Sequence, residues 1–93
     1  MFVCVLHRDV NDWQRFDALG ADVPHAPDGC EALAYFPSRD HRSGIYIWRA
    51  SDLGTLRQWI DGKTAGLCTN EYCEIDERRA MGLPKVALHP VSA

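Results

Sequence analysis

The chain has 93 residues, 46% hydrophobic and 25% charged, with thirteen acidic and ten basic side chains for a net charge of −3. That length supports one hydrophobic core and no second domain, and the composition is that of a globular domain rather than a disordered or fibrous chain. The basic residues are scattered, not gathered into a stripe, which argues against a nucleic-acid partner.

A core of this size buries only roughly 60 to 65% of the unfolded surface, so self-association is a natural way to hide more apolar area. The first apolar run, Met1 to Leu6, is interrupted by His7 and Arg8. It is too short for a signal-peptide core or a membrane span, and the expectation is a cytoplasmic protein with no membrane partner. In that setting Cys4, Cys30, Cys68 and Cys73 read as reduced thiols.

Phe2 to Arg8 reads as a strand with Phe2, Cys4 and Leu6 on one face and Val3, Val5 and His7 on the other. Asn11 and Gln14 have the spacing of a capping box, opening a short helix with an apolar stripe of Trp13, Phe16 and Leu19 and a stop at Gly20. Pro24, Pro27 and Asp28-Gly29 then favour turns. Cys30 to Phe36 alternates as a second strand, placing Ala32, Ala34 and Phe36 on one face and Leu33 and Tyr35 on the other. Pro37 ends it, and the charged segment Ser38 to Ser43 suits a solvated hairpin loop leading to a third strand, Ile45 to Ala50. Ser51 is placed as an N-cap beside Asp52, followed by a helix whose stripe is Leu53, Leu56, Trp59 and Ile60, with Gly62 able to close it. Leu67 to Ile75 reads as a fourth strand, and Asp76 as the cap of a short helix, Glu77 to Met81, stopped by Gly82 and Pro84.

The order β, α, β, β, α, β predicts an α+β ferredoxin-like sandwich: an antiparallel sheet with both helices on one face. Residues 1–84 form the domain and 85–93 a tail. On this reading Val3, Val5, Leu33, Tyr35, Tyr46 and Trp48 lie on the uncovered face, and so large an apolar patch calls for a partner, here a second copy of the chain.

Met1 to Arg8, Tyr35-Phe36-Pro37-Ser38, Tyr46-Ile47-Trp48-Arg49-Ala50 and the blocks Asn70-Glu71-Tyr72 and Ala80-Met81-Gly82-Leu83-Pro84 resemble a group of small bacterial proteins of the dimeric α+β barrel superfamily. The resemblance runs to Pro84 and is most specific in the last blocks. It implies a dimeric barrel. Distant members include cofactor-independent monooxygenases, polyketide cyclases, lactone isomerases and a small nickel-binding protein whose first strand is similar to Val5-Leu6-His7-Arg8. Fold alone does not choose among these chemistries.

His7 ends an otherwise apolar strand face and is expected at the rim of a cleft, where an imidazole can serve as acid, base or metal ligand, or as a structural hydrogen-bond donor. Tyr35, Tyr46 and Trp48 share a predicted face suited to a flat ligand or to a subunit interface, and Tyr72 joins them as a candidate ligand contact. Asn70, Glu71, Tyr72 and Glu74 crowd polar groups into a strand, a conflict that marks either a site or an edge. Three readings follow. The first is a homodimer binding a small aromatic or polyketide-like molecule without a cofactor, with His7 as acid or base. The second is a nickel- or zinc-binding protein using His7 and Glu71 or Glu74, with or without a cysteine. The third is a structural dimer with no site.

Overall fold

In a computed structural model, which describes residues 1–88, the alternating N-terminal segment forms β1 (Phe2–Arg8). There follow α1 (Trp13–Ala18), a 3-10 segment (Leu19–His25), β2 (Cys30–Pro37), β3 (Gly44–Ala50), α2 (Leu53–Lys63) and β4 (Thr69–Ile75). The four strands form one antiparallel sheet in the order β2-β3-β1-β4. With its two α-helices it is an α+β fold compatible with the ferredoxin-like arrangement. No helix among the described residues is long and apolar enough to cross a membrane.

The helices cover the opposite face of the sheet from the one expected. Val3, Val5, Tyr46 and Trp48 form one core with Phe16 of α1 and Leu56 and Ile60 of α2. Trp48 is 2% exposed and Val3, Val5 and Leu56 are fully buried. Both faces of β1 are apolar, so alternation alone does not say which one the helices take. Small residues help to decide. Gly44 stands opposite His7, and a Cβ there would approach Tyr35 at 3.2 Å and Phe16 at 3.4 Å, so a side chain at 44 would require these two rings to shift by a few tenths of an ångström. Ala32 and Ala50, also buried, leave similar room. The uncovered face instead carries Phe2, Cys4, Leu6, Ala34, Ile45, Ile47 and Ile75, all half-buried, and Phe36, 60% exposed.

Strict alternation also fails in β2. Ala32 pairs with Trp48 and Ala34 with Ile47, so Leu33 is an extra residue in a β-bulge. The bulge shifts the phase of the strand: Ala32 before it and Tyr35 after it face the helices, while Ala34 and Phe36 face away.

Both helices start one residue later than expected. Asn11 is tied to the loop before β4, its amide donating to the Gly66 carbonyl at 2.8 Å, and Asp12 is the cap, accepting from the Arg15 amide at 3.2 Å. Ser51 likewise yields to Asp52, which accepts from the Thr55 amide at 2.9 Å and its hydroxyl at 2.6 Å. A carboxylate is the stronger acceptor at the positive end of a helix. The chain passes through Gly20 into the 3-10 segment instead of stopping there, and α2 runs past Gly62 to Lys63. The segment Glu77 to Met81 is not a helix. One turn forms on Asp76, whose carbonyl accepts from Arg79 and Ala80, and Gly82 at φ +81 ends it before further turns can stabilise it.

The tail returns to the sheet, the Leu88 amide donating to the Ala32 carbonyl on edge strand β2 at 2.6 Å. The rest of the tail, 89–93, lies outside the described residues.

Leu56 sits wholly between α2 and the sheet, so Leu56→Ala should lower the unfolding free energy by about 2 to 5 kcal/mol. Urea denaturation measures this, and a loss below about 0.5 kcal/mol would contradict the helix face described here.

Candidate functional site

His7 is the last inward residue of β1, opposite Gly44 on one side and Asn70 of β4 on the other. It is not at a rim: the side chain is 3% exposed, edge-on to Phe16 at 5.0 Å and to Tyr46 at 5.7 Å between ring centroids. Its Nδ1 lies 2.6 Å from Asn70 Oδ1.

The neighbours of Asn70 define the tautomer. Asn70 Nδ2 donates to Asp61 Oδ1 at 3.0 Å and to Thr64 Oγ1 at 2.8 Å. An ionised carboxylate only accepts, and the Thr64 hydroxyl is already spent donating to the Ile60 carbonyl at 2.8 Å. The nitrogen end of the amide is therefore turned to Asp61 and Thr64 and the oxygen end to His7. Oδ1 must accept, so Nδ1 of His7 carries the proton and Nε2 has the free lone pair. Nε2 has no hydrogen bond among the described residues. The Cys68 thiol also donates to Asn70 Oδ1, at 3.3 Å, and lies 3.8 Å from Nδ1. It sits on the occupied side of the imidazole, and burial pushes its acidity down, so it is not arranged as a nucleophile with His7 as base.

Burial lowers the pKa of His7, while the bond to Asn70 and the charge of Asp61 pull the other way. Asp61 is held low by the Tyr72 hydroxyl, which donates to it at 2.6 Å, and by the Asn70 amide. Tyr72 is raised, first by burial and then by that bond. The imidazole is thus neutral at rest, with a carboxylate one amide away.

His7 lines a recess between sheet and helices together with Phe16, Tyr46, Trp48, Trp59 and Lys63. With its open mouth the recess contains about 370 Å³ of empty space, but it is narrow: the centres of water molecules could range over only about 30 Å³. A ring-sized ligand would have to part the side chains that line it, or lie in its mouth. Tyr46 stacks on Tyr35 at 4.4 Å, and burial with the nearby Asp17 charge pushes the Tyr46 pKa up to about 12. Trp48 packs edge-on to Trp59 at 5.9 Å, and its Nε1 is buried with no hydrogen-bond partner among the described residues. Leaving such a donor unpaired costs roughly 1 to 3 kcal/mol.

Of the residues named from sequence, His7, Tyr46 and Trp48 line the recess, Tyr35 backs Tyr46, and Tyr72 binds Asp61 at the edge of the network. Glu71 pairs with Leu6 on the uncovered face and bridges Arg8 at 2.6 Å, and Glu74 is an exposed residue opposite Val3. Neither is brought to His7. Among the described residues no three His, Cys, Asp or Glu side chains form a group able to hold a metal ion. Sequence reasoning did not find Asp61, Thr64 or Lys63, nor Asn70 as the partner of His7. Asn70 alternates with Tyr72 on an inward strand face, a polar signal noticed but not assigned, because only the β1–β4 register puts it opposite His7.

No protein-family model and no curated protein matches the chain.

The lowered pKa of His7 gives a signed pH dependence. The unfolded state takes up a proton near 6.5 and the folded state only at lower pH, so stability is present above about 6.5 and is lost as pH falls through that value toward the folded pKa. The melting temperature should drop across this window, and the drop should be smaller in His7→Gln, which cannot titrate. Calorimetry at closely spaced pH values checks it, and an equal drop in both proteins would assign the effect elsewhere.

Proposed function

We propose that this chain is a ferredoxin-like βαββαβ domain that assembles as a dimeric α+β barrel and binds a flat, largely apolar small molecule in the recess of each subunit, where His7 takes and returns a proton. The observation that carries the reading is the imidazole itself: buried and neutral, with Nδ1 committed to Asn70 and Nε2 without a hydrogen bond among the described residues, in a residue that lines an aromatic-walled slot. An imidazole so oriented is prepared as a general base, and the imidazolium it becomes is stabilised by Asp61 through the Asn70 amide. Of the chemistries that the resemblance implies, cyclisation and isomerisation, which move protons, suit this group best. A polyketide-like or aromatic compound has the required thinness.

The dimer is supported by the uncovered sheet face. Phe2, Leu6, Ile45, Ile47 and Ile75 make its apolar centre, and the Arg8–Glu71 and Arg49–Glu31 ion pairs lie on the same face at 2.6 and 2.8 Å. An apolar centre with charged margins is the layout of a protein interface. The residues proposed to meet the second copy are thus not those first expected. Trp48→Glu would bury a charge in the monomer core, whereas Ile47→Glu addresses the interface.

Light scattering at micromolar concentration should give twice the 10.5 kDa chain mass, and Ile47→Glu should give monomer with an unchanged circular dichroism spectrum; a monomeric wild type would remove the barrel. For the recess, 2-naphthol should quench the tryptophan fluorescence saturably. His7→Gln should weaken binding about tenfold, the upper part of what one hydrogen bond contributes. Quenching without saturation would remove the small-molecule reading.

A further inference from the structure

The uncovered face of the sheet carries a pair of thiols that the recess does not use. Cys4 of β1 and Cys73 of β4 are direct partners in the antiparallel register, so their side chains leave the sheet on the same side. Directly opposed residues of an antiparallel pair have Cα atoms about 4.5 or about 5.5 Å apart, and disulfides span Cα separations of roughly 4.4 to 6.8 Å. The backbone therefore holds the two residues at bridging distance. The sulfurs also feel one another: burial raises the pKa of Cys4, and the charge of Cys73 raises it further. All four cysteines are free thiols, with Cys73 exposed and Cys4 half-buried. Cys73 is engaged only by a 3.6 Å contact with the Glu74 carbonyl. The other two stand apart from the pair. Cys30 is buried in β2, separated from β1 by β3, and Cys68 is turned to the Asn70 side chain beside His7 on the covered side.

We propose that Cys4 and Cys73 are a redox site: a cross-strand dithiol that a low-molecular-weight disulfide converts to an intrachain bridge between β1 and β4. Cys73, exposed on the edge strand, meets the reagent first. Its thiolate attacks one sulfur of the reagent, the reagent's S–S bond breaks and one small thiol leaves. The Cys4 thiolate then attacks Sγ of Cys73 in the mixed disulfide, and the second small thiol leaves. Two protein thiols give up two electrons and two protons, and one small-molecule disulfide becomes two thiols. Because the sheet keeps the second thiol at short, fixed range, ring closure is favoured over a lasting adduct. The bridge has a structural consequence. Among the described residues β4 pairs only with β1, and it carries Asn70 opposite His7 in the same register. Tying Cys73 to Cys4, three pairs along that ladder, locks the pairing that holds Asn70 to Nδ1 of His7. The pair lies within one chain and depends neither on a ligand in the recess nor on a second copy.

The test equilibrates the wild-type chain with mixtures of reduced and oxidised glutathione at neutral pH, starting from both reduced and oxidised protein so that slow access does not hide the end point. Samples are quenched in acid, alkylated, and cut with trypsin and a glutamate-specific protease, which separates Cys68 from Cys73 at Glu71. Two of the four thiols should disappear together in a chain of monomeric mass, with residues 1–8 linked to residues 72–74. Cys4→Ser should instead accumulate a glutathione adduct on Cys73; should that variant not fold, the wild-type linkage decides alone. By hydrogen exchange, the β4 amides of the oxidised protein should open at least about tenfold less often than those of the reduced protein. A lasting glutathione adduct on wild-type Cys73 with Cys4 free would overturn the proposal. So would a bridge between two chains, a bridge that uses Cys30 or Cys68, or four free thiols in oxidised glutathione alone. Bridging with unchanged β4 exchange would overturn the lock on Asn70.

Discussion

Two short helices can shield only one face of a four-stranded sheet, and here they shield the face that carries Val3, Val5 and His7. The other features follow from that choice. A histidine at the end of an otherwise apolar face is drawn into the core, where its charged form is disfavoured and its ring nitrogens need partners. Gly44 opposite it leaves room for Phe16 and the imidazole to meet edge to face. The remaining face, with Ile45, Ile47 and Phe36, is left apolar and without a helix.

Asn70 solves the problem that the buried histidine creates. A carboxylate in direct contact would hold the imidazole charged, and a purely apolar neighbour would leave Nδ1–H unpaired. The amide does neither. It passes the influence of Asp61 to the ring as a dipole, keeping the carboxylate near the surface where water and Tyr72 share its charge. The position of the ring is then set by three elements: β1 supplies His7, β4 supplies Asn70 and Tyr72, and α2 supplies Asp61 and, from Thr64 at its C-cap, the hydroxyl.

Much of the secondary structure was legible in the chain because alternation and the helical stripes are local signals. The strand at Phe2 to Arg8 and the stripe of Leu53, Leu56, Trp59 and Ile60 needed no tertiary information. The covered face was not legible, since Phe2, Cys4 and Leu6 are as apolar as Val3 and Val5, and a period-two pattern has no preferred side when both sides are greasy. Leu33 was misread for a related reason. A bulge inserts one residue without leaving a composition signal, and every residue after it changes sides. Within the site, His7, Tyr46 and Trp48 could be selected by residue type, but the Asn70–Asp61 relay depends on strand register and on the last turn of α2. Neither is written in any window of neighbouring residues.

The return of the chain to β2 bears on the exposed rim of the sheet. Ala32 pairs with Trp48 at a position whose carbonyl points outward, and the Leu88 amide caps it. On the opposite rim, β4 carries Glu71 and Glu74 among its exposed side chains. Open strand edges invite a foreign strand to dock and extend the sheet, the first step toward fibrillar association. One border of this sheet is occupied at Ala32 by the returning segment and the other carries charge, so both edges hold a feature that hinders a docking strand.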